Sequence, residues 1–318
     1  MKVLLPAIKN YAQHTLDVGK GHKIYVEESG SPDGIPVLFV HGGPGAGCTT
    51  DDRRYFDPER YRIIIFDQRG CGRSTPYGSI EHNTTKDLIK DMEMIRKHLG
   101  VKRWVLFGGS WGATLSLLYA QKHSEQVMGM ILRGVFLARQ VDLQWFYQDG
   151  ANHVFPDYWQ EFITPIPEEE RGDFIAAFYK RLNGEDELAR MSAAKHWSHW
   201  EGQCATLNPC KGVLERFTNT HTAMSLSLIE THYFVNKCFI EPNQILRDAY
   251  KLEGIPGIIV HGRYDMICPL DNAYLLHQAW PGSELHIIRD AGHSAAEPTI
   301  TDALVNAAEM MSQLMRDK

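Results

Sequence analysis

A serine held between glycines, at the junction of an apolar run and a helical pattern, constrains this sequence most. The run Trp104–Phe107 is apolar throughout, as a parallel strand covered on both faces requires. Gly108-Gly-Ser-Trp-Gly112 follows it and matches the pattern G-x-S-x-G. Apolar residues then recur at helical spacing up to Lys122. A strand, a sharp turn and a helix in this order predict that Ser110 projects its hydroxyl as a nucleophile from a strained elbow.

Strand and helix patterns alternate on both sides of this elbow. They fall at residues 14–29 (a hairpin), 37–40, 61–66, 85–99 (a helix), 130–132, 257–260 and 284–288. This alternation predicts an α/β fold with a mostly parallel sheet flanked by helices. From about residue 136 to 240 the strand patterns disappear, and helical spacing and aromatic residues replace them. We therefore expect a core formed by 1–135 and 241–318, with 136–240 inserted as a helical cap.

Composition and charge exclude several classes of function. The chain of 318 residues is 43% hydrophobic and 23% charged, and its net charge of −6 gives no reason to expect nucleic-acid or anionic-membrane binding. Its first residues lack the long apolar segment of a secretory signal, and no apolar stretch approaches the roughly 20 residues of a membrane span. The six cysteines are scattered, as is typical of reduced thiols. These features predict a cytoplasmic protein, while the oligomeric state stays open.

A nucleophilic serine requires a base and a carboxylate that orients it, and after an elbow these follow in the order Ser, Asp/Glu, His. Asp265 lies in the loop after one predicted strand, and His293 lies in the loop after the next. Both loops are expected at the strand C-termini, the edge of an open α/β sheet where ligands bind. We predict Asp265 and His293 as the partners of Ser110. Asp271 and Asp290 are nearby competitors for the carboxylate.

The oxyanion of an attacked carbonyl group requires N–H donors near the serine. The residue after the nucleophile, Trp111, supplies one, and the glycine-rich loop His41-Gly-Gly-Pro-Gly45 supplies the other; we choose Gly43. A phosphate-binding loop is the rival interpretation, but the pattern does not match G-x-G-x-x-G. We therefore expect no nucleotide cofactor.

A metal site is the other alternative for this chemistry. His196, His199 and Glu201 lie close together in the sequence and carry ligand groups. The pattern H-E-x-x-H is absent from the chain. We therefore predict a reaction without a metal.

The motifs HGGPG, DQRGCGRS, GGSWG, GRYD and AGH together resemble those of the proline iminopeptidases, serine peptidases of the α/β-hydrolase fold. The resemblance covers nearly the whole chain, including the insertion. It implies removal of N-terminal proline from small peptides by a serine mechanism. It also implies substrate-binding roles for Glu201, Glu230, Arg133, Phe136 and Cys268, with the two glutamates on the substrate's amino group.

Independent chemistry agrees with the proposed role of the two glutamates. An aminopeptidase cleaves at a fixed distance from the substrate's amino terminus, so it requires a fixed negative charge near the oxyanion donors. Carboxylates in an aromatic pocket bind a pyrrolidinium ion and its ring together. We expect Tyr147, one of the aromatic residues of the insertion, to line this pocket.

Other functions on the same scaffold remain alternatives. A small-ester or amide hydrolase would use the same serine but would require no carboxylates in its pocket. A catalytically silent receptor often lacks one of the three catalytic groups, whereas candidates for all three are present here. A dehalogenase or an epoxide hydrolase would have an aspartate in place of Ser110. Surface charge or a salt bridge is the alternative role for Glu201 and Glu230.

Overall fold

An eight-stranded sheet organises the molecule. The structure is a computed structural model, and it describes residues 1–316. The strands are β1 (Asn10–Gly19), β2 (His22–Gly30), β3 (Ile35–Val40), β4 (Tyr61–Phe66), β5 (Trp104–Gly109), β6 (Val127–Arg133), β7 (Gly257–Gly262) and β8 (Ser283–Ile288). Their order across the sheet is β1-β2-β4-β3-β5-β6-β7-β8. β1, β2 and β4 pair antiparallel, and all later neighbours pair parallel. The predicted mostly parallel sheet is confirmed.

Helices connect the strands. They are α1 (Thr85–His98), α2 (Trp111–Lys122), α3 (Gln140–Tyr147), α4 (Pro156–Ile163), α5 (Phe174–Leu182), α6 (Glu187–Cys204), α7 (Lys211–Thr218), α8 (Thr220–Val235), α9 (Gln244–Arg247), α10 (Leu270–Ala279) and α11 (Pro298–Arg316). α1 begins where the sequence predicts, because the Thr84 hydroxyl accepts the N–H of Asp87 while the Asp87 carboxylate accepts the N–H of Thr84.

Two apolar layers cover the faces of the sheet, since side chains alternate along each strand. On β4, Ile63 and Ile65 pack in the layer that contains α11, whereas Ile64 and Phe66 pack in the layer that contains α1 and α2. Burying an aliphatic side chain of this size contributes about 1.5–3 kcal/mol relative to leaving it exposed. The central strands, whose C-terminal ends carry the candidate catalytic loops, are therefore fixed from both sides.

Residues 136–240 lie between β6 and β7, and we call them the insertion. They contain α3 to α8, and α6 packs against α4, α5, α7 and α8. Aromatic side chains fill the space between these helices, with Trp159, Phe162, Phe178, Trp197 and Trp200 all buried. Most of the aromatic residues that the sequence shows here form the insertion's own core.

None of the helices in residues 1–316 combines the length and the apolar character that a membrane span requires.

Candidate active site

Ser110 lies on the sharp turn between β5 and α2. Its backbone has φ 56° and ψ −123°, a conformation that typically costs a non-glycine residue about 1–3 kcal/mol. Two contacts enforce the turn: the Ser110 N–H donates to the Arg133 carbonyl at 2.9 Å, and a Cβ at position 112 would overlap the Val40 carbonyl oxygen. Gly112 therefore lets the helix approach β3 closely, and the turn holds Ser110 at the C-terminal edge of the sheet.

Two backbone N–H groups near Ser110 lack an acceptor among residues 1–316. One belongs to Trp111, the first residue of α2, whose N–H precedes the first intrahelical hydrogen bond, from Ala113 to the Ser110 carbonyl at 2.9 Å. The other belongs to Gly43, whose φ of +106° favours glycine and whose added Cβ would lie 2.6 Å from the Gly45 nitrogen. Both residues sit where the sequence predicts the oxyanion donors.

Gln68 links the two loops that carry these N–H groups. Its side-chain N–H donates to the His41 carbonyl at 2.9 Å, and its side-chain oxygen accepts the indole N–H of Trp111 at 3.0 Å. Its own backbone N–H donates to His41 Nε2 at 2.9 Å. The sequence analysis missed Gln68 and His41, although both belong to motifs that it had singled out.

Asp265 and His293 form a buried hydrogen-bonded pair, with His293 Nδ1 2.7 Å from Asp265 Oδ2. The other carboxylate oxygen accepts the N–H groups of Cys268 at 2.8 Å and Ile267 at 3.1 Å. The alternatives Asp271 and Asp290 are both exposed.

Burial and charge set the protonation states of this pair. Burial opposes the charge of Asp265, but attraction to His293 and its hydrogen bond outweigh it, and the pKa of Asp265 is lowered. Burial lowers the pKa of His293 more than Asp265 raises it. At neutral pH, His293 is therefore a neutral base that donates from Nδ1 and can accept a proton at Nε2.

A second histidine, His261, lies beside Asp265, with its Nε2 3.5 Å from Asp265 Oδ2. Its Nδ1 accepts the N–H of Val135 at 3.2 Å, so its Nε2 carries the proton and donates to the Cys268 carbonyl at 2.8 Å. Burial lowers the pKa of His261, which keeps the ring neutral. The sequence analysis missed this residue, which lies four positions before Asp265.

The insertion holds the His293 loop directly. The Ala205 carbonyl, just after α6, accepts the N–H of His293 at 3.0 Å and the N–H of Ser294 at 2.7 Å. On the other side, the Arg133 guanidinium donates to the His293 carbonyl at 2.8 Å. Arg133, predicted to bind substrate, lines the cavity described below and also fixes this loop.

Glu201 on α6 and Glu230 on α8 meet inside the insertion, close enough for each carboxyl group to shift the pKa of the other. Tyr147 OH donates to Glu201, and Trp197 Nε1 donates to Glu230 Oε2 at 2.6 Å. Burial raises the pKa of both carboxyl groups, and the charge of Glu201 raises that of Glu230 further. We therefore infer that the pair carries one proton and one negative charge at neutral pH.

Trp197 was not predicted as a site residue, although it precedes Glu201 by four positions and so shares its helix face.

One cavity of about 410 Å³ joins the serine to this carboxyl pair. Its wall includes Ser110, His293, Gly43, Arg133 and Cys268 from the core, and Phe136, Phe146, Tyr147, Glu201, Glu230 and Phe234 from the insertion. Of the other predicted site residues, Asp265 and the Trp111 side chain lie buried beside this wall. Burial raises the pKa of the Cys268 thiol well above its ordinary value, so the thiol does not compete with Ser110 as a nucleophile.

The residues of the alternative metal site have other partners. His196 Nδ1 lies 2.8 Å from the Ser192 carbonyl, His199 pairs with Glu161 at 3.2 Å, and Glu201 faces Tyr147. Within residues 1–316, no three His, Cys, Asp or Glu side chains are arranged to hold a metal ion.

Comparison with known proteins gives a consistent result. A family profile for the alpha/beta hydrolase fold matches residues 35–298. A proline iminopeptidase of Xylella fastidiosa (strain 9a5c) is 50% identical over 310 residues, which are 97% of this chain and 99% of the relative. One from Arabidopsis thaliana is 46% identical over 99% of this chain and 83% of its own. Among solved structures, a bromoperoxidase from Bacillus anthracis superposes with a TM-score of 0.67 over 95% of this chain and 100% of its own; at 19% identity it shows the fold alone.

Proposed function

The chain belongs to the proline iminopeptidase family of α/β hydrolases, and we propose that it releases N-terminal proline from peptides through an acyl-enzyme on Ser110. The observation that carries this proposal is the buried Glu201–Glu230 pair in the same cavity as Ser110 and His293. A general esterase has no use for a buried negative charge at that position. An aminopeptidase requires one, because its substrates share a protonated amino terminus.

Substrate binding uses both the charge and the apolar wall of the cavity. The pyrrolidinium nitrogen of the N-terminal proline has two hydrogens, and it donates them to the oxygens of Glu201 and Glu230. The proline ring packs against Phe136, Tyr147 and Phe234, which bury its methylene groups. Aromatic faces also attract the adjacent positive charge. The scissile carbonyl group belongs to the same proline residue as the amine. Binding the amine at the glutamates therefore places this carbonyl group next to Ser110.

Acylation begins when the Ser110 hydroxyl attacks the carbonyl carbon and its proton moves to His293 Nε2. The N–H groups of Trp111 and Gly43 donate to the oxyanion of the tetrahedral intermediate. Asp265 stabilises the imidazolium that forms and keeps its orientation. The C–N bond then breaks as His293 gives the proton to the leaving amine. The products are the shortened peptide and a prolyl ester of Ser110.

Deacylation repeats these steps with water. His293 removes a proton from the water molecule as its oxygen attacks the ester carbonyl, and the same N–H groups hold the oxyanion. Collapse of this intermediate returns the proton to Ser110 and releases proline. We further propose that residues 136–240 act as a cap over a core of 1–135 and 241–318, since the cap closes the amine end of the cavity and excludes peptides that extend beyond it.

A panel of four anilides and an ester tests the proposal. Prolyl anilide, N-acetylprolyl anilide, alanyl anilide and leucyl anilide are compared with a short acyl ester under the same conditions. We expect the highest kcat/KM for prolyl anilide and a loss of at least about a hundredfold when its amine is acetylated, because the cation is then missing. Equal turnover of the free and the acetylated substrate, with faster ester hydrolysis, would favour the esterase alternative.

A further inference from the structure

The active-site cavity has a buried end and an exposed end. Glu201 and Glu230 close the buried end, where their side chains are only 6% and 2% exposed. The exposed end is lined by Asp51, Cys210 and Arg216, which all reach solvent. The proposed function places the substrate's amino terminus at the buried end. The leaving peptide must therefore run past Ser110 towards the exposed end.

Arg216 is the unpaired cation of this exposed end. The cavity wall carries two arginines within residues 1–316: Arg133, which donates to the His293 carbonyl, and Arg216 on α7. Within that same range, no carboxylate lies within 4.0 Å of Arg216, and its guanidinium has no hydrogen-bond acceptor. An arginine on a helix surface usually serves solubility, but this one lines the exposed end of a substrate cavity.

The acidic residues near Arg216 are already engaged. Asp51 pairs with Arg54 at 2.9 Å, and one oxygen of Asp52 accepts the N–H and the hydroxyl of Thr49 at 2.6 and 3.1 Å. Burial raises the pKa of Asp52, and the charge of Arg216 is the strongest influence that opposes this rise. Arg216 is therefore close enough to the core loops for its charge to act across the cavity, while its donors remain free.

We propose that Arg216 binds the C-terminal carboxylate of short peptide substrates and so favours free di- and tripeptides over amidated or longer ones. This inference rests on the proposed function for the direction in which the substrate lies. A guanidinium is planar and presents paired donors that match the two oxygens of a carboxylate. Every unmodified peptide ends in that group.

Peptide length decides whether the carboxylate reaches Arg216. An extended residue advances the chain by about 3.3–3.6 Å, so each added residue moves the carboxylate one step further along the cavity. A cavity of about 410 Å³ accommodates only a short peptide. In longer substrates the carboxylate lies in solvent beyond the mouth, and Arg216 contacts uncharged backbone instead. The preference for a free carboxylate must therefore decline with length.

The test compares prolyl peptides that differ only at their C-terminus. Pro-Ala, Pro-Ala-Ala and Pro-Ala-Ala-Ala-Ala are each assayed as the free acid and as the amide, and kcat/KM for proline release is measured. For the wild-type enzyme we expect an acid-to-amide ratio of about 5 to 30 at one of the two shorter lengths, as a charge-assisted hydrogen bond typically provides. At the longest length the ratio should approach one.

Three variants test whether Arg216 causes the preference for a free carboxylate. Arg216→Gln should bring the ratio close to one at every length while leaving kcat/KM for the amides nearly unchanged. Arg216→Lys keeps the charge without the paired donors, and it should retain part of the preference. Lys211→Gln is the matched control, since Lys211 lies on the same helix, is exposed and pairs with Glu215 at 3.5 Å. It should behave as the wild type.

Two results would overturn the inference: a wild-type ratio below about two at all lengths, or a ratio that survives Arg216→Gln. Prolyl anilide lacks a carboxylate, so its cleavage does not depend on the proposed role of Arg216. It therefore distinguishes an error in that role from an error in the proposed function. If the wild type and Arg216→Gln cleave it equally well while the ratios stay flat, only the role of Arg216 is wrong. If no prolyl substrate is cleaved by the wild type, the proposed function itself is wrong.

Discussion

The strand-end loops and the insertion build their halves of the cavity in different ways. At the strand ends the backbone conformation sets the geometry: Ser110 and Gly43 both have a positive φ, and the proposed oxyanion donors are backbone N–H groups. In the insertion, side chains on packed helices form the cavity wall. Glu201 and Glu230 are held by the Tyr147 hydroxyl and the Trp197 indole.

This difference explains why the two regions suit different tasks. The strand ends carry the proposed nucleophile, base and oxyanion donors, which every substrate requires, whereas the insertion carries the groups proposed to recognise one class of substrate. Each substitution of a side chain that lines the pocket from the helices of the insertion changes the shape or the charge of the pocket. We therefore expect substitutions at the strand ends to abolish turnover, and substitutions in the insertion to redirect it.

Ser110→Ala should have the largest effect. We expect kcat to fall by about 10⁴- to 10⁶-fold on every substrate, because the three catalytic groups act as a unit. Thermal unfolding should change little, since the side chain lies at the cavity wall. Ser294→Ala, in the same cavity, is the control and should keep its activity within a few fold. Activity that persists in Ser110→Ala would exclude the serine mechanism.

Replacing both carboxyl groups, in Glu201→Gln/Glu230→Gln, should have the next largest effect. The inferred pair has one negative charge, so a single glutamine leaves that charge on its neighbour, whereas the double variant removes it. We expect kcat/KM for prolyl anilide to fall about 30- to several-thousand-fold, which corresponds to about 2–5 kcal/mol. Either single variant should lose less.

An N-acetylproline ester is the control substrate for that double variant, because it carries no cation. Its turnover should be nearly unchanged. A parallel loss on both substrates, in a protein that still unfolds cooperatively, would mean that the carboxyl pair is structural.

Phe136→Ala should shift specificity by a smaller amount. Phe136 contacts Phe234 edge to face, with ring centroids 6.0 Å apart, and its loss removes part of the surface proposed for the proline ring. We expect the ratio of prolyl to alanyl anilide kcat/KM to fall about tenfold, within the range that buried methylene groups provide. Labelling of Ser110 by a small phosphonate should continue at the wild-type rate. Slower labelling would show that the insertion also controls the chemistry of the serine.

Glu230→Gln should change stability with a defined dependence on pH. The pKa of folded Glu230 is raised above its ordinary value of 4.5, so the folded state retains a proton that the unfolded chain releases. Wild-type stability therefore falls as pH rises from about 4.5 through that raised pKa, and glutamine removes this loss. We expect the Tm of the variant to exceed that of the wild type by about 2 °C or more at pH 8 and to match it near pH 4. Exposed Glu185, changed to Gln, should show no such trend. A Tm difference independent of pH would contradict the shared proton.

Strands, the elbow and the order of the catalytic groups follow from the sequence because each has a local cause. β4 lies at Tyr61–Phe66 as predicted, since an apolar run between polar loops permits little else. The placement of Asp265 and His293 follows from the rule that parallel strands end at one edge. The roles of the eleven predicted site residues stay predictions, although the structure brings them together around one cavity.

The residues that sequence reasoning missed depend on contacts between distant segments. Gln68 joins two loops that lie 27 and 43 positions away along the chain. Trp197 and Glu230 are 33 positions apart, and their contact depends on how α6 packs against α8. Trp197 and Glu201 are four residues apart and so share one face of a helix. This spacing is the signal in the sequence that could have identified Trp197. No sequence pattern indicates that Arg216 lines the cavity, because this depends on how α7 packs against α6 and α8.

The two hydrogen bonds from the His293 loop to the Ala205 carbonyl have a consequence for protein engineering. Grafting a different insertion onto this scaffold would replace more than the Glu201–Glu230 pair, because the residue after α6 also holds the loop of His293, the proposed catalytic base. A transplanted insertion must reproduce a carbonyl acceptor at that position, or the His293 loop loses both of these hydrogen bonds.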